Sequence, residues 1–247
     1  SHNFGTNFSE PFAIQFLSKD GKLEYAHETS WGASTRLIGA IVMTHGDERG
    51  LKLPPRVAPI QVVILPIAQH KEGVLDRARA LKEELERAGL RVELDDRDTY
   101  SAGWKFNEWE MKGVPVRLEI GPRDIENGVA MSMRRDTFEK RELPLEGIAE
   151  AVRALLDDVH DTMFEQARAF RDRHIRTAAT MEELEEGVKD GFVLASWCGD
   201  RACEDRVKEL YGASTRNMPF DQGDLPSDHC VVCGAKAEKK IYFAKAY

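Results

Sequence analysis

Apolar and polar positions alternate at first. In residues 12–17, Phe12, Ile14 and Phe16 predict a strand, Lys19-Asp20-Gly21-Lys22 a turn, and residues 23–28 its return partner. The period then lengthens. Leu37, Ile38, Ile41 and Val42 fall at helical spacing within residues 31–44, ahead of Gly46. The prolines of residues 52–59 favour extended backbone and stop a helix, so the first domain boundary is drawn after residue 57.

Residues 58–145 alternate strand with helix. The continuous apolar run at 60–67 predicts a strand covered on both faces. Leu75, Ala78, Leu81, Leu85 and Ala88 line one face of a helix over 72–88, closed by Gly89. Period-two stretches at 91–94 and 116–120, and a run at 129–133 leading into a charged turn, predict three more strands. This order specifies a layered α/β domain with a mixed sheet. Residues 146–176 carry Ile148, Val152, Leu155, Leu156, Val159, Met163, Ala167 and Phe170 in one register, the pattern of a single long helix connecting domains. Too few repeats stay regular to favour a heptad coiled coil. Residues 177–247 predict a small α+β domain, with helices at 181–188 and 201–211 and strands at 192–197 and 240–247.

With 247 residues, 42% hydrophobic and 32% charged, the chain is globular rather than disordered and long enough for two or three compact units. Its 35 basic and 43 acidic residues give a formal charge of −8, so a polyanion partner needs a local basic patch. No apolar run reaches membrane-span length, and nothing at the start resembles a signal peptide. A cytoplasmic protein with no membrane partner is expected.

All four cysteines fall between 198 and 233, as Cys198-x4-Cys203 and Cys230-x2-Cys233 with 26 residues between the pairs. Each short pair can supply two thiolates from one turn, which is what a tetrahedral Zn²⁺ requires. Two disulfides suit a cytoplasmic chain poorly. Iron–sulfur clusters commonly use denser spacings. His229 beside Cys230 is an alternative fourth ligand. Four protein ligands leave no open position, so the ion is expected to be structural.

Residues 29–37, Thr-Ser-Trp-Gly-Ala-Ser-Thr-Arg-Leu, put small and hydroxyl residues at a strand-to-helix junction with Arg36 one turn in. A helix N-terminus suits an anionic ligand, although Ser and Thr there are also ordinary caps. With this segment, three other stretches stand out: Ser1-His2-Asn3-Phe4-Gly5-Thr6-Asn7-Phe8, Gly46-Asp47-Glu48-Arg49-Gly50-Leu51-Lys52-Leu53-Pro54-Pro55, and Gly103-Trp104-Lys105-Phe106-Asn107-Glu108-Trp109-Glu110-Met111-Lys112-Gly113-Val114-Pro115. Together with Gly121-Pro122-Arg123-Asp124, the cysteine domain and the terminal Tyr247, they closely resemble the archaeal and eukaryotic type of prolyl-tRNA synthetase, over essentially the whole chain.

That resemblance implies a ligase that joins L-proline to proline tRNA with ATP. It implies that residues 1–57 end the antiparallel catalytic sheet of a class II synthetase. Arg36 would then be the catalytic arginine against the adenine and phosphates of ATP, Ser34 a second ATP contact, His2 a proline contact, and Trp31 and Gly32 part of the proline pocket. Thr6, where many relatives carry Gln, departs mildly from the pattern. The family's other signature motifs and its Mg²⁺ ligands would precede residue 1. This chain alone is therefore expected to be inactive, and a homodimer is expected through the catalytic domain.

The resemblance also makes 58–145 an anticodon-binding domain and 177–247 a zinc-binding domain. Single-stranded RNA is read by stacking bases and bonding their edges. Glu110 could accept from the N1–H and N2–H₂ of guanine, while Lys112, Arg117 and Arg123 suit phosphates or acceptor edges. Trp104, Phe106 and Trp109 read better as the core of a short helix. No feature suggests a DNA partner. Two alternatives remain open: a synthetase for threonine, glycine or histidine, and a non-catalytic RNA-binding protein that keeps the anticodon domain.

Overall fold

The computed structural model describes residues 2–246; Ser1 and Tyr247, which end two of the motifs above, lie outside them. The described chain divides into two compact units between Val159 and His160.

The first unit opens with β1 (His2–Gly5), β2 (Gln15–Leu17), β3 (Leu23–Tyr25), β4 (Glu28–Ser30) and α1 (Arg36–His45). β2 pairs with β3 and β1 with β4, both antiparallel. The strand expected over 12–17 begins only at Gln15. Ahead of it residues 6–13 coil into turns, with the Glu10 and Phe12 amides donating to the Thr6 and Phe8 carbonyls. The expected return strand divides, because the chain bends after Tyr25 to bring Glu28–Ser30 against β1.

Residues 46–59, expected as an extended joint, are held against the next module. The Leu51 and Leu53 amides donate to the Met111 and Gly113 carbonyls at 3.0 and 3.2 Å. Gly50 has φ +127°, and a Cβ there would stand 2.6 Å from the Met111 Cα, so no other residue fits without displacing backbone.

The main sheet follows: β5 (Val62–Pro66), α2 (Val74–Arg87), β6 (Val92–Leu94), α3 (Ala102–Met111), β7 (Val116–Ile120), α4 (Pro122–Glu126), β8 (Val129–Arg134) and β9 (Lys140–Pro144). Its order is β6-β5-β7-β8-β9, with β6, β5 and β7 parallel and the other neighbours antiparallel. Every residue of β5 is buried, as its unbroken apolar run requires of a strand covered on both faces. Val63 and Leu65 meet Trp109 and Val114, which seats α3 on one face of the sheet. The charged turn expected after the 129–133 strand is that of a hairpin, whose unexpected return strand is β9.

The long helix is α5 (Ile148–Arg173), and the unit boundary falls inside it. Ile148, Val152, Leu155, Leu156 and Val159 are buried, so the expected connector contributes its first half to the first unit's interior. Phe170, placed in the same apolar register by sequence, is exposed.

The second unit adds β10 (Ile175–Ala178), α6 (Met181–Gly187), β11 (Phe192–Trp197), α7 (Arg201–Tyr211), β12 (Ala213–Thr215) and β13 (Lys239–Lys245). Its mixed sheet runs β10-β11-β13-β12, around a core that includes Leu184, Val193, Val207 and Phe243.

Candidate nucleic-acid interface and metal centre

Helix α3 starts from Ser101, whose Oγ accepts the Trp104 amide at 3.3 Å. The helix is fixed to the end of β6 through Asp95. That carboxylate is fully buried and accepts from the Trp109 indole at 2.8 Å and from Arg97 Nε and Nη2 at 2.8 and 2.7 Å. Lys105 Nζ lies 3.5 Å away and also donates to the Asp95 carbonyl. Burial alone would raise the Asp95 pKa, but the bonds from Arg97 and Trp109 and the charge of Lys105 outweigh it and hold the carboxyl well below the usual carboxylate range. Arg97 also pairs with Glu108.

Further along α3, Glu110 Oε1 accepts from Arg117 at 3.1 Å, and its Oε2 lies 3.4 Å from Arg49. Arg117 is buried: it donates to Glu119 at 2.9 and 3.0 Å, and its guanidinium lies 4.0 Å from the Phe106 ring centroid. Lys140 approaches Glu119 at 3.5 Å. Beside this group the buried Arg135 forms a two-bond pair with Asp47 at 2.6 and 2.9 Å and donates through Nε to the Glu110 carbonyl. The hydrogen bonds from Arg135, with Lys52 beside them, hold the Asp47 carboxyl well below its ordinary range.

The structure thus joins Glu110 to Arg117 as a pair and leaves Lys112 half-exposed nearby, bonded to Glu108 at 2.8 Å and lying over the Trp109 ring. Arg123, exposed on α4, stands at the opposite end of β7 from Arg117. The three aromatics part company: Trp109 is buried and Phe106 partly so, but Trp104 is 44% exposed and is not core. Asp95, Arg97 and Arg49 carry much of this arrangement, and nothing in the sequence pattern marks them out. An Asp directly after a strand is a common turn residue, and only the folded partners distinguish this one.

At the start of the chain, register pairing sets His2 opposite Ser30, next to Trp31 and Gly32. Arg36 is the first residue of α1, and Thr35 before it makes no side-chain cap. His2, Trp31, Gly32, Ser34 and Arg36 are all exposed, and α1 buries none of its residues.

In the second unit Cys198 follows β11, Cys203 lies in α7, and Cys230 and Cys233 flank a turn closed by Gly234, whose amide donates to the Cys230 carbonyl at 3.0 Å. One sulfur from each of the four lies within 4.8 Å of the others, with Cys198 3.6 Å from Cys203 and 3.8 Å from Cys233. A tetrahedron of ~2.3 Å Zn–S bonds has sulfur edges of ~3.8 Å, whereas a disulfide needs ~2.05 Å. The spacing therefore fits a metal and not a bridge. His229 is not part of the cluster. Burial pushes the Cys203 and Cys198 thiols up, while backbone donors at Cys233 and Val232 bring Cys230 down to about 7 against its own burial.

Residues 61–155, which hold the first unit's mixed sheet, match the family described as anticodon binding domain. Residues 181–247 match the family described as prolyl-tRNA synthetase, C-terminal. Over its whole length the chain is similar to the Proline--tRNA ligases of Clostridium novyi (53% identity) and Clostridium botulinum strain Loch Maree (55%), and to Proline--tRNA ligase 2 of Bacillus cereus (50%). The chain spans 52% of the length of each of these relatives. No described helix is long and apolar enough to cross a membrane.

Proposed function

We propose that this chain supplies anticodon recognition and part of the ATP and proline site of a class II prolyl-tRNA synthetase. The observation that carries the reading is the identity of 53–55%, along the entire chain, to Proline--tRNA ligases. In the reaction, the proline carboxylate attacks the α-phosphate of ATP, forming prolyl-adenylate and releasing pyrophosphate. The prolyl group then passes to the 3′-terminal ribose of tRNA with departure of AMP. Such chemistry rests on positioning and charge stabilisation, and Arg36 is the group offered here for phosphate charge, with Ser34 beside it. His2, Trp31 and Gly32, adjacent through the β1–β4 register, would border proline. The reading assigns Mg²⁺ ligands to catalytic sequence outside these residues, and places the dimer contact in the catalytic domain and the enzyme in the cytoplasm.

Exposure of Trp31, Leu37, Ile38 and Met43 agrees with a 1–57 module that completes its core with further catalytic sequence. The domain plan is then 1–57 catalytic, 58–145 anticodon-binding, 146–176 connecting helix and 177–247 zinc-binding. The four cysteines suit a Zn²⁺ that, when bound, supplies a cross-link holding β11, α7 and the 230–233 turn.

On the RNA side, Glu110 retains an accessible edge and would exchange Arg49 or Arg117 for the N1–H and N2–H₂ of an anticodon guanine. Lys112, on leaving Glu108, and the exposed Arg123 would meet phosphates, and Arg117 orients Glu110. Glu110→Ala is expected to reduce discrimination between proline tRNA and the same tRNA with its two anticodon guanines replaced by at least tenfold, with a smaller loss of overall affinity. Equilibrium binding to both RNAs checks this, and an equal loss for both would contradict it.

A further inference from the structure

The cleft at the carboxyl ends of β5 and β6 adjoins the Asp95 network and has no part in the roles proposed for Glu110, Lys112 and Arg123. From β5 the chain crosses to β6 on one side through α2, then recrosses to β7 on the other side of β5 through α3. Right-handed crossovers running in opposite directions put their helices on opposite faces, so the segments leaving β5 and β6 separate and open a crevice between them. Here the crevice is about 180 Å³, lined among others by Pro66, Gln69, His70, Arg97, Tyr100 and Lys105. That is less than a drug-sized ligand usually needs.

At its rim Tyr100 and Trp104 stack with ring centroids 3.9 Å apart and planes 12° from parallel, each residue more than two-fifths exposed. The Arg97 guanidinium lies 5.0 and 5.4 Å from the two centroids. Being nearly equidistant from two rings so close together, it flanks the stack instead of capping an outer face. Its charge is already met by Asp95 and Glu108, and that of Lys105 by Asp95. The site therefore offers flat aromatic surface next to a small cleft with no surplus positive charge. That combination suits an unpaired nucleobase and not a phosphate.

We propose that the Tyr100–Trp104 stack and this cleft hold one unpaired base of the same RNA loop whose guanines are read at Glu110, an inference that rests on the anticodon reading. Trp104 and Glu110 are six residues apart on one helix, roughly 9 Å along its axis, so a single strand can reach both.

The test measures binding of the 247-residue chain to the anticodon stem-loop of proline tRNA across a range of salt concentrations. Trp104→Ala is expected to weaken binding about tenfold without changing the salt dependence, because no charge is removed, and Trp104→Phe to recover most of the loss. An abasic replacement at one loop position other than the two guanines should cost the unmodified chain the same factor and cost Trp104→Ala nothing more. This RNA-side arm holds even if the alanine variant folds poorly. If Trp104→Ala binds normally, or no abasic position outside the guanines matters, while guanine replacement still weakens binding, the stacking site is overturned and the anticodon reading survives. If guanine replacement has no effect, the anticodon reading fails and the inference fails with it.

Discussion

Stripping the metal from the four-cysteine site, or replacing Cys230 with Ser, is expected to unfold the second unit and leave the first one folded. Zinc bound by a closed cysteine set contributes an apparent ~10–16 kcal/mol at neutral pH, as much as the whole stability of a typical domain at ~5–15 kcal/mol. The second unit is expected to depend on such a contribution because the cysteines connect its parts. Cys198 extends β11, Cys203 lies buried in α7, and the turn carrying Cys230 is tied to β11 by the Val231 amide donating to the Ser196 carbonyl at 3.0 Å. Without the ion, two thiols that burial already disfavours as thiolates are left facing one another in protonated form. Circular dichroism melts of the chain before and after chelation, with metal content measured in parallel, check this. One cooperative transition should disappear and return on adding Zn²⁺. An unchanged melt in metal-free protein would contradict it. Because thiolates are the ligands, acidification should release the ion, and the same transition should weaken as pH falls.

Asp95→Ala is the second large effect expected. Its partner Lys105 has a side chain 6% exposed and would be left as an uncompensated buried ammonium, with the Trp109 indole N–H also unpaired. Breaking a buried pair from one side costs about 3–5 kcal/mol, and that loss is expected in the first unit. The pH dependence carries its own sign. A carboxyl held below its ordinary 3.8 in the folded state contributes its stability above about pH 4 and loses it as pH falls through the folded value. The parent chain should therefore lose stability below pH 4 more steeply than Asp95→Ala does. Urea unfolding at pH 7 and at pH 3 measures both. A variant within 1 kcal/mol of the parent at pH 7 would contradict the account. Since α3 carries both Glu110 and Trp104, the same variant should also weaken RNA binding by loosening the helix that presents them.

Periodicity carried most of the fold. The strand at 60–67, the helix at 72–88 and the helix at 201–211 each announce themselves by an apolar pattern that tertiary packing reinforces. Short elements were less legible. β1, β4, β10 and β12 have three or four residues each, too few to show a period, and their pairing comes from chain segments far apart in sequence. The stretch that forms α3 was legible as a short helix carrying Glu110, but the fates of its aromatics were not, because Trp104, Phe106 and Trp109 look alike in sequence while packing sends one to solvent and one to the core. The cysteine site was legible because ligand spacing is a covalent constraint. The Asp95 network was not, since two of its three partners, Lys105 and Trp109, come from a helix that meets the end of β6 only after folding. Nor could composition reveal that Arg117, a cation suited to RNA, is enclosed between Glu110 and Glu119.

Anticodon recognition by this chain is tested most directly by its equilibrium binding to the anticodon stem-loop of proline tRNA and to the same stem-loop with its two guanines replaced. The chain is expected to bind the first and to lose at least tenfold in affinity on the second. Equal affinity for both would contradict it.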